Sequence, residues 1–113
     1  ELWLIDHGSS LLFHHSWENI EQHALSPFTY IKNHVLLPEA SLLEESDAEI
    51  KKILTEKDIY DIVSLIPDDW LHWNDAELTP EEIRDIYIDF LCKRRENSNI
   101  FINEAKHARE ALI

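Results

Sequence analysis

The segment TPEEIRDIYIDFLCKRRE, residues 79–96, constrains the fold more than any other part of the sequence. Its apolar residues recur every three or four positions, which is the spacing of one face of an α-helix. Thr79 is a strong N-cap, Pro80 fits the first helical position, and Glu82 completes a capping box. Acidic residues near its start and the basic run 93–95 near its end both complement the helix macrodipole. We therefore predict a long helix whose buried face is formed by Ile83, Ile86, Tyr87, Phe90 and Leu91.

The sequence before this segment predicts two shorter helices. The first follows Asp47, and the second is capped by Thr55. Pro67 then interrupts the helical pattern, and PDDWL predicts a helical turn that carries Trp70, before a polar loop over 72–78. The apolar positions that define the two helices are Ile50, Ile53 and Leu54 in the first, and Ile59, Ile62, Val63 and Ile66 in the second.

Two further helices are predicted, one near each end of the helical region. One starts near Trp17 with Ser16 as its N-cap and stops before Pro27. The other follows Asn99, and its small residues indicate close packing against a neighbour. The segment FTYIKNHVLLP, residues 28–38, has no clean periodicity, so its boundaries stay open. The face of the last helix is formed by Phe101, Ala105, Ala108 and Leu112.

The N-terminal residues differ from this helical pattern. Leu2–Ile5 is a continuous apolar run that is too short for a helix, so we predict a strand buried on both faces. Residues 9–13 are a candidate second strand, with Gly8 allowing the positive φ of a tight turn. We therefore expect a mainly α domain with one or two short N-terminal β-strands, in which residues 1–15 precede a helical region over 16–113.

Charge and cysteine content limit the partners of the chain. Its 113 residues are the size of one domain, and 23 Asp and Glu against 10 Lys and Arg give a formal net charge of −13. Such a chain repels nucleic-acid phosphates and anionic lipid surfaces, so we expect neither partner. The single cysteine, Cys92, cannot form an internal disulfide, and no apolar run approaches the ~20 residues that span a bilayer. We expect a reducing, cytoplasmic compartment.

Asp6 and Gly8 are the first candidates for a functional site. A carboxylate at the end of a buried strand is fixed by the core yet open to a ligand, and Mg²⁺ bound with a nucleotide needs one or two such oxygens. Gly8 would leave room beside the metal. A strand end with a turn-forming aspartate explains the same spacing, and on spacing alone we favour that explanation.

Histidines and tryptophans are the other candidates. His7, His14 and His15 lie close together in the sequence, and neutral imidazoles suit zinc, but their spacing fits no familiar zinc pattern. Trp70 and Trp73 could form a ligand platform, whereas filling of the core is the commoner role of tryptophan.

In order along the chain, WLIDHGSSLLFHH, FTYIKNHVLLP, IPDDWL, FLCKRR and EAKHAR resemble the C-terminal part of HipA-like kinases. The IDHG…FHH block is the most specific part, and only Leu12 departs from the aromatic residue expected there. The resemblance implies a protein-kinase-like fold with an ATP site between two lobes. This chain would be the helical C-terminal subdomain of that fold.

The resemblance also implies roles for the N-terminal segment. In kinase folds the aspartate of a DFG-like segment chelates the Mg²⁺ that bridges the ATP phosphates. Asp6 takes that position, with His7 in the middle place and Gly8 as the glycine of the segment. Asp6 and Gly8 are therefore the implied cofactor-binding residues, and Asp6 is the implied metal ligand. His14 and His15 belong to the family pattern without an assigned role.

Other parts of a kinase site are missing from this sequence. The phosphate-covering loop, the ATP lysine and the catalytic Asp and Asn are expected upstream of Glu1, in a longer protein of which this chain, which lacks methionine, is a part. The expected partner is therefore an upstream kinase lobe of the same protein, and the chain alone is expected to be inactive. With the edges of strand Leu2–Ile5 left open, we also expect self-association.

Two other functions fit the sequence. One is an acidic helical module that binds a partner protein, in which the Asp-His-Gly turn is purely structural. The other is a metal-binding protein that uses histidines and Asp6. An Asp and an Asn of a catalytic loop upstream of Glu1 would favour the kinase. Partner binding that survives Asp6→Asn would favour the helical module. Stoichiometric zinc in the purified protein would favour the metal-binding protein.

Overall fold

The computed structural model describes Trp3, Leu11 and residues 18–72 and 77–113. These residues are mainly α-helical and include no β-strand, which confirms the mainly α class. Apart from Trp3 and Leu11, the two predicted strands lie outside the described residues. The α-helices of the described part are α1 (Ile20–Ala24), α2 (Leu43–Ile53), α3 (Glu56–Ser64), α4 (Pro80–Glu96) and α5 (Asn99–Glu110).

The connections between these helices contain short 3₁₀ turns. Thr29–Asn33 and Leu37–Glu39 form two of them, in the segment whose boundaries the sequence left open. Asp68–Trp70 forms a third and confirms the helical turn predicted for PDDWL. Trp70 is 75% exposed, however, so the interpretation that it fills the core is wrong.

Capping boxes begin α3 and α4, which confirms the box predicted at Thr79 and the N-cap predicted at Thr55. The N–H of Thr79 donates to Glu82 Oε2 at 2.8 Å, and the N–H of Glu82 donates to Thr79 Oγ1 at 3.2 Å. Thr55 and Asp58 repeat the arrangement at 2.8 and 3.2 Å. Each box satisfies two of the N–H groups that a helix start leaves without a partner.

Three predicted helix limits differ from the structure. α2 begins at Leu43, before Asp47, because Glu44 and Glu45 in its first turn supply the negative charge that a helix start favours. Asp47 instead pairs with Lys51 one turn later, at 3.4 Å. α1 begins after Asn19 and is shorter than predicted, although it ends before Pro27 as expected. α5 begins at Asn99 itself.

Four apolar residues predicted to lie on packed faces are more than half exposed. Ile53 is 75% exposed at the end of α2, and Leu112 is 54% exposed beyond the end of α5. Ile50 on α2 and Ile62 on α3 are 56% and 57% exposed. Helical spacing identifies a face but not whether a neighbouring helix extends far enough to cover its end. Trp3 is 77% exposed, so this chain alone does not bury that residue of the predicted N-terminal strand.

α4 and α5 are the helices that organise the packing. α4 contacts α1 and α3, while α5 contacts α2 and the 3₁₀ turns Thr29–Asn33 and Leu37–Glu39. Leu11 also packs against the pair formed by Ala24 on α1 and Phe90 on α4. The buried apolar residues are Ala24, Leu37, Ile59, Val63, Leu71, Ile83, Phe90 and Ala105.

Replacing Thr79 with Ala is expected to lower the free energy of unfolding by about 1 kcal/mol, because α4 loses the acceptor of its N-cap. Urea denaturation followed by circular dichroism measures the change. Thr29→Ala is the matched control, since Thr29 is exposed and caps no helix. Equal losses in the two variants would contradict the capping role.

The capping box of α3 predicts a pH dependence of stability. Hydrogen bonds from Thr55 lower the pKa of Asp58 below its usual value. These bonds therefore stabilise the fold above the unfolded pKa of about 3.9, and the stabilisation is lost as pH falls through the lower folded pKa. The difference in free energy of unfolding between the parent chain and Asp58→Asn should be largest near neutral pH and shrink in acid. A difference that stays constant throughout the acidic range would contradict this account.

Candidate functional site

The residues assigned to a site from sequence lie outside the part of the chain that the structure describes. This is true of Asp6 and Gly8, and also of His7, His14 and His15. The assignment of Mg²⁺ and ATP to this segment therefore stays a prediction.

Leu11 connects the N-terminal segment to the helices. It is half-buried and packs against the cluster of Ala24 and Phe90, which joins α1 to α4. Tyr87 packs against the same cluster, and burial raises the pKa of its phenol. Leu11, which is five residues after Asp6, thus contacts the interface of α1 and α4.

Three other residues that could carry chemistry, His34, Trp70 and Cys92, lie in the described part of the chain. His34 Nδ1 accepts a hydrogen bond from the N–H of Leu36 at 3.2 Å in an exposed turn. Trp73 lies outside the described residues, so the Trp70 platform is not tested. Cys92 is half-buried, and burial followed by nearby carboxylates raises the pKa of its thiol, which disfavours the reactive thiolate. Within the described ranges, no group of three His, Cys, Asp or Glu is placed to hold a metal ion.

Every arginine in the sequence donates a hydrogen bond to a backbone carbonyl of an earlier segment. Arg84 on α4 donates to the carbonyl of Ile66 at 2.6 Å and pairs with Asp68, which raises the pKa of the guanidinium. Arg109 on α5 donates to the carbonyl of Pro38 at 3.2 Å. A guanidinium has five N–H donors in fixed directions, so it can bind carbonyls that the ends of helices and turns leave free.

Arg95 caps the C-terminal end of α2. Its Nε–H donates to the carbonyl of Leu54 at 2.5 Å, and its Nη2 donates to the carbonyl of Lys51 at 2.7 Å. The N–H of Thr55, which would bind the Lys51 carbonyl if α2 continued, donates to the carboxylate of Asp58. A cation at this end of a helix is also favoured by the macrodipole. Arg95 therefore completes the junction at which α2 ends and α3 begins.

Arg94 joins α4 to the end of α1 and to α5. Its Nη1 donates to the carbonyls of Ala24, at 3.2 Å, and Ser26. Its guanidinium carbon lies 4.3 Å from the centroid of the Phe101 ring, which is a cation–π contact. Burial lowers the pKa of Arg94, as expected for a cation that has lost water without gaining a carboxylate partner.

An apolar cleft of about 370 Å³ lies between α2, α3, α4 and α5. Its volume falls within the range of small-molecule pockets, roughly 300–1,000 Å³. Ile50 and Ile62, which are 56% and 57% exposed, lie at its opening. Its apolar wall includes Leu54, Ile59, Leu91, Phe101 and Ile102.

Four charged side chains and two serines also line the cleft. Asp47 and Lys51 pair with each other, whereas Arg94 and Arg95 form no ion pair with any described carboxylate. Ser98 is only 3% exposed, and its Oγ has no hydrogen-bond partner among the described residues. A buried hydroxyl without a partner costs about 1–3 kcal/mol. The cleft therefore combines an unsatisfied hydroxyl with two uncompensated positive charges, in a chain of net charge −13.

The sequence pattern assigns Arg94 and Arg95 to the macrodipole of their own helix and does not indicate their bonds to distant carbonyls. The neighbouring Lys93 pairs with Asp89 one turn earlier, at 3.1 Å, and with Glu21 of α1 at 2.9 Å. Neither arginine has an acidic residue three or four positions away on either side. The absence of an acidic residue at these positions is the signal in the sequence that both arginines bind groups outside their own helix.

A scan against protein-family models, a search of curated proteins and a search of solved structures each found no match to this chain. The resemblance to HipA-like kinases therefore rests on the sequence blocks alone. No helix in the described part of the chain is both long enough and apolar enough to cross a membrane.

Replacing Arg95 with Gln is expected to lower the free energy of unfolding by about 2 kcal/mol, because hydrogen bonds to charged groups contribute roughly 1.5–3 kcal/mol. The Leu54 and Lys51 carbonyls would lose their partner, so amide hydrogen exchange in α2 should also accelerate. Lys52→Gln is the control, since Lys52 is an exposed cation of α2 that pairs with the exposed Glu49. Equal stability of the two variants would contradict the role of Arg95 as a cap.

Proposed function

We propose that this chain is the helical C-terminal subdomain of a HipA-like kinase, in which Asp6 supplies a Mg²⁺ ligand to an ATP site completed by an upstream lobe. The observation that carries the proposal is the order of five sequence blocks along nearly the whole chain, led by IDHG…FHH. The helical architecture of the described residues agrees with the subdomain that the resemblance implies.

Contacts between distant blocks add support. FTYIKNHVLLP packs against α5, where Arg109 of the EAKHAR block donates to the carbonyl of Pro38. The IPDDWL block is held to α4 through Ile66 and Asp68, which both bind Arg84. These described blocks therefore pack against each other or against α4, as parts of a common subdomain would.

The proposed chemistry assigns one task to this chain. A Mg²⁺ ion in a kinase bridges the ATP phosphates and neutralises charge that develops during transfer, and carboxylate oxygens hold it. Asp6 would be such a ligand, and Gly8 would leave space beside it. The groups that bind the phosphates and activate the acceptor would come from the upstream lobe, so this chain alone would not transfer a phosphoryl group.

The test compares Mg²⁺- and ATP-dependent phosphotransfer by this chain with that of the longer gene product. Only the longer protein should be active, and Asp6→Asn should lower its rate by about a hundredfold or more, because a ligand of the charge-stabilising metal is lost. Asp69→Asn, which changes an exposed carboxylate on a 3₁₀ turn, is the matched control and should have little effect. An unchanged rate in Asp6→Asn, or an Asp6-dependent rate from this chain alone, would reject the proposal.

A second candidate function is an acidic helical module that binds a partner protein or a second copy of itself. The observation that favours it is the exposure of Tyr30, Val35 and Leu36, at 73%, 86% and 63%. Large apolar side chains exposed near one another are common at protein interfaces. Here Asp6→Asn would leave association intact, while Val35→Glu would weaken it in sedimentation measurements and Leu65→Glu, on an 80% exposed residue of another segment, would not.

A further inference from the structure

We propose that the apolar cleft between α2, α3, α4 and α5 binds an amphipathic anion, a molecule with an aliphatic body and one carboxylate head. The inference does not rest on the proposed kinase role, since each residue that carries it belongs to the described helices and their caps. Neither Asp6 nor Gly8 takes part.

The lining of the cleft selects the body of the ligand. The apolar part of its wall is aliphatic apart from the ring of Phe101, and one face of that ring is covered by the guanidinium of Arg94. Ile50 and Ile62 carry the apolar surface out to the opening, where both side chains are more than half exposed. An aliphatic chain would remove this surface from water, whereas a sugar or a nucleoside would leave its polar groups without partners.

The charges of the cleft select the head of the ligand. Among the described residues, the hydrogen bonds of Arg94 and Arg95 go to carbonyls, which are neutral, and neither guanidinium forms an ion pair with a carboxylate. Arg94 uses only Nη1 in these bonds and Arg95 uses Nε and Nη2, so each guanidinium keeps further N–H groups, and both side chains line the cleft. Ser98 on the same wall adds a hydroxyl without a partner. A carboxylate supplies both the negative charge and the acceptor oxygens that these groups lack.

The sign of the charge makes the proposal testable with three probes of the same chain length. Decanoate, decan-1-ol and decylammonium share an aliphatic body and differ in the head, and each is titrated below its micelle concentration. A chain of net charge −13 attracts the cation through its overall field. We expect the opposite order, with decanoate bound about tenfold more tightly than decan-1-ol and decylammonium the weakest, because the cleft carries its own positive charge.

The site is located by amide chemical shifts and by a pair of variants. Decanoate should shift the amide resonances of Ile50, Ile62 and Phe101 and leave those of α1 unchanged. Ile62→Glu places a carboxylate at the opening and should weaken decanoate binding about tenfold or more, while Ile53→Glu should bind like the parent. Ile53 is exposed on α2 and does not line the cleft, so this control makes the same change outside the site.

Three results would overturn the proposal. The first is binding of decylammonium as tight as that of decanoate, and the second is equal weakening by the two glutamate variants. The third is a dimer that forms without any probe and that Ile62→Glu alone dissociates, since a second copy would then be what covers the cleft.

Discussion

Hydrogen bonds from the arginines of α4 to backbone carbonyls are the interaction on which the rest of the fold depends. Arg94 binds the end of α1, Arg95 binds the end of α2, and Arg84 binds the end of the segment that follows α3. The carbonyls at these ends have no partners within their own helices, and burying them without partners would be costly. One helix thus satisfies carbonyls at the ends of α1 and α2 and in the segment after α3. The buried apolar residues of the described part, which are mostly aliphatic, fill the space between these elements.

The features predicted correctly from sequence are those that a few adjacent residues determine. The N-cap at Thr55 and the capping box at Thr79 need only residues three positions apart, and the apolar stripe of α4 repeats within one helix. The start of α2 was misplaced because Asp47 resembles a cap, while the charges that begin the helix stand earlier, at Glu44 and Glu45. The sequence pattern predicts a feature correctly where the residues that stabilise it lie within a few positions of each other.

The candidate site was less predictable because its partners are distant in the sequence. Arg95 meets the Leu54 carbonyl 41 positions away, and Arg94 meets the Ala24 carbonyl 70 positions away. No spacing rule relates such residues, so the basic run could be assigned only to the dipole of its own helix. The exposure of Trp70 and of Ile53 has the same origin, since it depends on which neighbours extend over them.

The account gives the chain two charged sites of opposite sign. Asp6 is proposed to offer a carboxylate to a metal ion at one end of the sequence. Arg94 and Arg95 are positively charged and line an apolar cleft in a chain whose net charge is −13. A metal–nucleotide complex and an aliphatic carboxylate make different demands on a protein, so the two proposals can fail separately.

The kinase assignment is the central claim, and a structure of the longer gene product with Mg²⁺ and a non-hydrolysable ATP analogue tests it most directly. The account predicts that a carboxylate oxygen of Asp6 binds Mg²⁺ at about 2.1 Å, beside the analogue's phosphates. A bound Mg²⁺–nucleotide complex whose ligands do not include Asp6 would contradict the claim.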